Sequence, residues 1–105
     1  MMQLKQETRA DWYVVTVTGR ADAEAADVLE MELRMAAGLN DKVAVDLSGV
    51  QYISSAGLRA LLQGARAAQN RNSEFAVCAP SAPVKKVFEM TGMGLLMRIE
   101  EALPC

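Results

Sequence analysis

The chain contains no histidine. That absence removes His-based acid–base catalysis, Ser-His-Asp triads and most zinc sites. Its two cysteines, Cys78 and Cys105, have neither metal-ligand nor redox spacing. There is no P-loop, no Gly-x-Gly-x-x-Gly and no Gly-x-Ser-x-Gly elbow. A Ser-x-x-Lys dyad starting at Ser55 needs lysine at position 58, which is Leu58. Asp46 closes a strand-like run, as a receiver-domain phosphoacceptor does, but the early strands supply no acidic pair to hold Mg²⁺ beside it. The formal net charge is only -2, so no general attraction to nucleic acid or to an anionic membrane is expected. No apolar run approaches the ~20 residues of a membrane span. The first residues, MMQLKQETRADW, lack the apolar core of a secretory signal. Repeats, linkers and low-complexity tracts are also missing. The expectation is a protein that is not an enzyme, with no catalytic residue, metal or cofactor of its own.

What is present suits one small α/β domain over residues 1–105, and 51% hydrophobic residues are enough for a packed interior. The predicted order is β-β-α-β-α-β-α with a short closing strand. Residues 3–8 alternate weakly, as an edge strand does. Arg9-Ala10-Asp11 turns into a strand over 12–18 with Tyr13, Val15 and Val17 on one face. A helix is predicted over 21–37, with Asp22 as its N-cap. Its core side is Ala25, Val28, Leu29, Leu33 and Ala36, and Gly38 is its stop. Residues 74–79 form another strand, ended by Pro80. Ser81 then caps a helix with Pro83 in its first turn, an apolar face of Val84, Val87 and Phe88, and Gly92 at its end. Residues 95–99 form the closing strand. Alternation of this kind predicts a single-layer mixed β-sheet with helices packed mainly on one face. The seven methionines read as adaptable core filler. Met90, Met93 and Met97 are alternatively a contact surface. Asp22, Glu24, Asp27, Glu30 and Glu32 read as a solvated helix face. Cys78 reads as a buried, reduced thiol and Cys105 as a frayed end, which together point to a cytoplasmic location.

The most informative stretch is KVAVDLSGVQYISSAGLRALL, residues 42–62. Val43, Val45 and Leu47 alternate with Ala44 and Asp46, a strand pattern rich in β-branched residues. Ser48-Gly49 is a turn signal, and Asp46 can bond the amides of that turn. Val50, Tyr52 and Ile53 read as core cover. Ser54 or Ser55 is a good N-cap for the helix that follows. Leu58, Leu61, Leu62 and Ala65 fall on one apolar stripe, leaving Arg59, Gln63 and Arg66 wet. Gly57 has no Cβ, so a bulky neighbour can approach the first turn. A hydroxyl at a helix N-terminus sits where N–H groups and the helix dipole favour negative charge. Ser55 is therefore either a plain cap or a place to carry a phosphate.

DLSGVQYISSAGLRALL resembles the signature of the STAS domain, and specifically of the stand-alone anti-sigma-factor antagonists. TGRADAEAADVLEMEL resembles the family's segment of Thr-Gly, two residues, Asp and a helix. SAPVKKVFEMTGMGLLMRI resembles its last helix and final strand. The resemblance covers nearly the whole chain in order. It departs at one point, where the family has Asp directly before its phosphorylated serine and this chain has Ser54. Ser55 matches the acceptor position, Ser54 becomes a secondary acceptor, and Ala56 stands where some relatives carry a second Ser or Thr.

The resemblance implies a binding switch modified by others. Unphosphorylated protein sequesters an ATP-binding serine kinase of the anti-sigma-factor type, and phosphorylation of Ser55 releases it. A PP2C-like serine phosphatase reverses the step. The partner-binding surface implied comprises Asp22, Asp46, Ala56, Gly57 and Arg59, with Arg59 one turn from Ser55. The free protein is expected to be a monomer. Two alternatives from other classes remain: a STAS scaffold that binds partners without phosphorylation, and a small-ligand or nucleotide-binding module using the cleft near Asp22 and Asp46.

Overall fold

The computed structural model describes residues 1–104, so the expectation for Cys105 lies outside the described residues. Strands β1 (Gln3–Arg9) and β2 (Trp12–Ala21) form a hairpin in which Arg9 pairs with Trp12. The two residues between them, Ala10 and Asp11, both take positive φ, 47° and 73°. That is the backbone a two-residue hairpin turn requires. Helix α1 (Ala26–Leu39) leads to β3 (Lys42–Ile53), and α2 (Ser55–Asn70) leads to β4 (Glu74–Cys78). Helix α3 (Ala82–Thr91) and a 3-10 turn (Met93–Leu95) lead to β5 (Arg98–Glu100).

The five strands lie side by side in chain order, β1-β2-β3-β4-β5, antiparallel only between β1 and β2. From β2 onward each crossover steps in the same direction across the sheet. Right-handed crossovers in one direction place every helix on the same face. The main core accordingly joins Val15 and Val17 of β2, Val43 and Val45 of β3 and Val77 of β4 with Leu29, Leu33, Leu61, Val84 and Phe88 of the helices. The opposite face is thinner. Trp12, Val14, Ala44, Ala76 and Cys78 are buried there, with Leu103 packed on them. Lys42 and Arg98 lie over the Trp12 ring, at 5.8 and 5.7 Å from its centroid.

Several element boundaries differ from the sequence expectation, each for a local reason. β3 does not stop at Ser48-Gly49 but runs on to Ile53. The Ser48 amide donates to the Asp46 carboxylate at 2.9 Å, and β2 shifts register beside it, so pairing resumes at Thr18–Gly49. β2 extends to Ala21, and α1 starts at Ala26 rather than 21. Asp22 therefore caps the turn before α1, its carboxylate and carbonyl both accepting from the Ala25 amide, each at 3.1 Å. The buried side of α1 is Ala26, Leu29, Leu33, Ala36 and Ala37, and Val28 turns outward. Residues 95–97 complete the 3-10 turn and its exit, so the closing strand is shorter than expected. Ser81 occupies the N-cap position of α3, yet its hydroxyl donates to the Val50 carbonyl instead of capping. Met93 and Met97 are buried, whereas Met31, Met35 and Met90 are exposed, so neither methionine expectation holds throughout.

Helix α2 reaches the sheet through small residues. Gly57, Ala60, Gly64 and Ala68 are buried along with Leu61, while Leu58, Leu62 and Ala65 pack at the margin. A Cβ at Gly64 would stand 2.9 Å from both Leu33 Cβ and Phe75 Cζ. A Cβ at Gly38, near the end of α1, would meet nothing within 4 Å. Gly64→Val is therefore expected to destabilise by roughly 2 kcal/mol through overpacking between α1, α2 and β4. Gly38→Ala is expected to be neutral or to stabilise by up to about 1 kcal/mol. Urea unfolding of both variants reads the difference.

Candidate functional site

Two corners of the fold meet at one carbonyl. β2 ends at Ala21 and β3 ends at Ile53, and these residues pair across the sheet. The chain leaves β3 through Ser54, whose amide and hydroxyl both donate to the Ala21 carbonyl, at 3.0 and 3.2 Å. The Ser54 hydroxyl oxygen also accepts from the Gly57 amide at 3.1 Å. Ser54 is thus the N-cap of α2, with an extended backbone (φ -87°, ψ 172°). Its own carbonyl takes the first intrahelical bond, from the Leu58 amide at 2.9 Å. The close fit depends on Gly57. A Cβ there would stand 2.6 Å from the Ala21 oxygen and 2.8 Å from Ile53 Cγ1.

Ser54 having taken the capping role, Ser55 is left as the first helical residue, exposed. The amides of Ser55 and Ala56 lie in the first turn, where helix N–H groups have no intrahelical partner and the dipole is positive. Asp22 follows Ala21 and so borders the same corner, half-buried in its turn. Arg59, one turn along α2, is exposed. The structure thus brings together Asp22, Ser54, Ser55, Ala56 and Gly57, with Arg59 beside them. It places Asp46 apart. Asp46 pairs with Thr16, five residues back along β2 from Ala21, or about 16 Å at strand rise.

One pair was not legible beforehand. Arg20 is exposed and lies over the Tyr52 ring, 4.3 Å from its centroid. The two residues are neighbours in the β2–β3 register, one step before Ala21 and Ile53. Tyr52 is 42% exposed rather than core cover. Its signal existed only as a pairing across the sheet. The pair adds a cation and an aromatic face to the rim of the corner.

Ser55 is exposed at the corner, while Asp22 on its other edge borders a shallow hollow of about 470 Å³ that reaches Val28. A hollow of about 620 Å³ lies at the other end of α2, lined by Arg66 and Arg98 among others. Arg66 is eleven residues beyond Ser55, about 16 Å along the helix. Among the described residues, no group of three or more His, Cys, Asp or Glu side chains is placed to hold a metal ion. No helix among them is long and apolar enough to cross a membrane. Far from the corner, burial and then the Glu32 carboxylate push the Tyr13 phenol above its ordinary range.

This fold recurs in known proteins. The family described as "Mlab, STAS domain" matches residues 4–98, and the chain belongs to that STAS-domain family. Among curated relatives, the anti-sigma F factor antagonist of Paenibacillus polymyxa is 24% identical, over 93% of this chain and 86% of that protein. Among solved structures, an anti-sigma factor antagonist from Mycobacterium paratuberculosis superposes with a TM-score of 0.83 at 24% identity, covering 98% of this chain and 88% of that one. SpoIIAA, an anti-sigma factor antagonist, matches in its unphosphorylated form with a TM-score of 0.73 at 22% identity, over 94% of this chain and 87% of that one. The phosphorylated form, from Bacillus, matches at 0.69 and 22%, over 94% and 90%. At such identities the structural likenesses establish the shared fold.

The two serines are predicted to separate in stability. Ser54→Ala removes the α2 cap and the tie to Ala21, and is expected to cost about 1–2 kcal/mol. Ser55→Ala removes an exposed hydroxyl and should stay within about 0.5 kcal/mol of the parent. Chemical denaturation monitored by circular dichroism checks both.

Proposed function

We propose that this protein is an anti-sigma-factor antagonist whose unphosphorylated form binds and sequesters a serine kinase of the anti-sigma-factor type. Phosphorylation of Ser55 releases the kinase, and a PP2C-like serine phosphatase resets the switch. One observation carries the reading. Ser54 does the structural work at the start of α2, leaving the neighbouring Ser55 hydroxyl exposed on a helix N-terminus. The names of the relatives and the family membership supply the partner class. Ser54, tied to Ala21 and Gly57, is the secondary acceptor. The protein itself carries out no chemistry; it presents a substrate hydroxyl and a docking surface, and acts as a monomer when free.

The switch is electrostatic. A phosphoserine carries about -1.5 to -2 charges near neutral pH. On this chain the positive end of the α2 dipole and Arg59 tolerate that charge, so the fold has no need to rearrange. On the partner side the same charge faces the phosphates of ATP and a catalytic carboxylate. Repulsion and the cost of desolvating the phosphate weaken the complex, whereas the small neutral hydroxyl packs without penalty. A difference of about 3 kcal/mol changes affinity roughly a hundredfold. Asp22, Ala56 and Arg59 line the contact, with Gly57 buried beneath it and Arg20 and Tyr52 at its rim. The replacement of the family's usual Asp by Ser54 makes this corner less acidic than in its relatives.

Ser55→Ala is expected to bind the kinase persistently in the presence of ATP, and Ser55→Asp to bind at least about tenfold more weakly. Isothermal calorimetry on both variants, with mass spectrometry of the parent after incubation with kinase and ATP, tests the proposal. Equal affinities for the two variants, or phosphate placed elsewhere with Ser55 unmodified, would overturn it.

A further inference from the structure

The outward side of α1 carries an apolar row that the core does not use. Val28, Met31, Met35 and Leu39 are 60%, 65%, 57% and 77% exposed. At 3.6 residues per turn they lie about 120° around the helix from the buried Leu29, Leu33 and Ala36. Single exposed apolar side chains are ordinary, but a contiguous row rimmed by charge marks an interaction surface. The row is also shaped. Shallow hollows border it: one of about 470 Å³ reaches Val28, one of about 390 Å³ is lined by Met31 and Met35, and one of about 310 Å³ by Met35 and Leu39.

Charge decides what fits. From residue 22 to residue 39 the chain has five carboxylates and one base, Arg34. Arg34 is held by Glu30 at 3.2 Å, within the helix. Asp27 and Glu30 flank the row on one side and Glu32 on the other, with Glu24 near its start. Two copies of this face would oppose like charges, which disfavours an α1-to-α1 dimer. A helix with apolar residues at i, i+3 and i+7 and Lys or Arg on its flanks would bury the row and pair with the carboxylates. The row spans twelve residues, about 16 Å from first to last, enough for three turns of such a helix.

We propose that the exposed face of α1 is a docking surface for a cationic amphipathic helix of a partner protein. It acts independently of phosphorylation at Ser55, which sits on α2. The surface lets the protein hold one partner on α1 while the α2 corner engages or releases another.

The probe is a synthetic fourteen-residue peptide with leucine at i, i+3, i+7 and i+11 and lysine on the flanks. Its control has the same composition, scrambled to destroy the apolar face. With the full-length protein, fluorescence anisotropy should show the ordered peptide binding at least about tenfold tighter than the scrambled one. Amide shifts should be confined to residues 24–39. Met31→Ser/Met35→Ser and, separately, Asp27→Lys should each weaken binding several-fold with unchanged circular dichroism, and Ser55→Asp should have no effect. Equal binding of ordered and scrambled peptides would overturn the proposal, as would shifts mapping to α2. It would equally fail if the protein sediments as a dimer that Met31→Ser/Met35→Ser dissolves, because a second copy would then cover this face.

Discussion

The Ala21 carbonyl is the point on which the working end of the molecule depends. It receives the Ser54 amide and hydroxyl, and it lies so close to α2 that only a residue without a Cβ fits at position 57. Two crossovers are thereby joined: the exit from β2 toward α1 and the entry from β3 into α2. Loops at the ends of parallel strands are ordinarily the most variable parts of such a fold. Here one is fastened to the other by hydrogen bonds to a main-chain carbonyl, and helix α2 starts from a fixed position. A hydroxyl one residue further on is then presented, exposed, in a defined direction.

That arrangement divides labour between adjacent serines. Ser54 is spent on structure, because it both donates to Ala21 and accepts from Gly57. Ser55 contributes to neither bond, so its chemistry can change without loosening the helix. The helix dipole favours the added negative charge, and Arg59 lies one turn away. In the proposed switch, the effect of a phosphate is therefore felt by whatever docks on the corner rather than by the core beneath, and the protein acts as a rigid epitope of alterable charge.

Much of this was legible in the sequence because the signals are local. The Ser-Ser-x-Gly-Leu run, the Val-x-Val-x-Leu alternation of β3 and the Ser-x-Pro start and Gly92 stop of α3 each act within a few residues. The single-sided arrangement of helices followed from the element order. What escaped depended on the sheet. Ser48-Gly49 looks like a turn, yet β3 continues because β2 offers a partner at Thr18 and Gly49 once the register has shifted. Pairing across strands outweighed the local preference. The start of α1 was misread for a related reason: β2 stays paired as far as Ala21, and Asp22 then closes a turn of its own. Val28 fits the apolar spacing of a core helix, but the side that meets the sheet centres on Leu29 and Leu33 and takes in Ala26 and Ala37, leaving Val28 outside it. Arg20 and Tyr52 carried no sequence signal, since their contact exists only across the β2–β3 register.

The central claim is that a charge on Ser55 alters the partner surface and leaves the Ser54 junction intact. Amide NMR spectra of the chain before and after stoichiometric phosphorylation of Ser55 test it most directly. The account predicts shifts limited to residues 20–24 and 53–60, with the Gly57 amide still protected from exchange by the Ser54 hydroxyl. Loss of that protection, or shifts spreading through β4 and β5, would show that the phosphate reorganises the fold and would contradict the account.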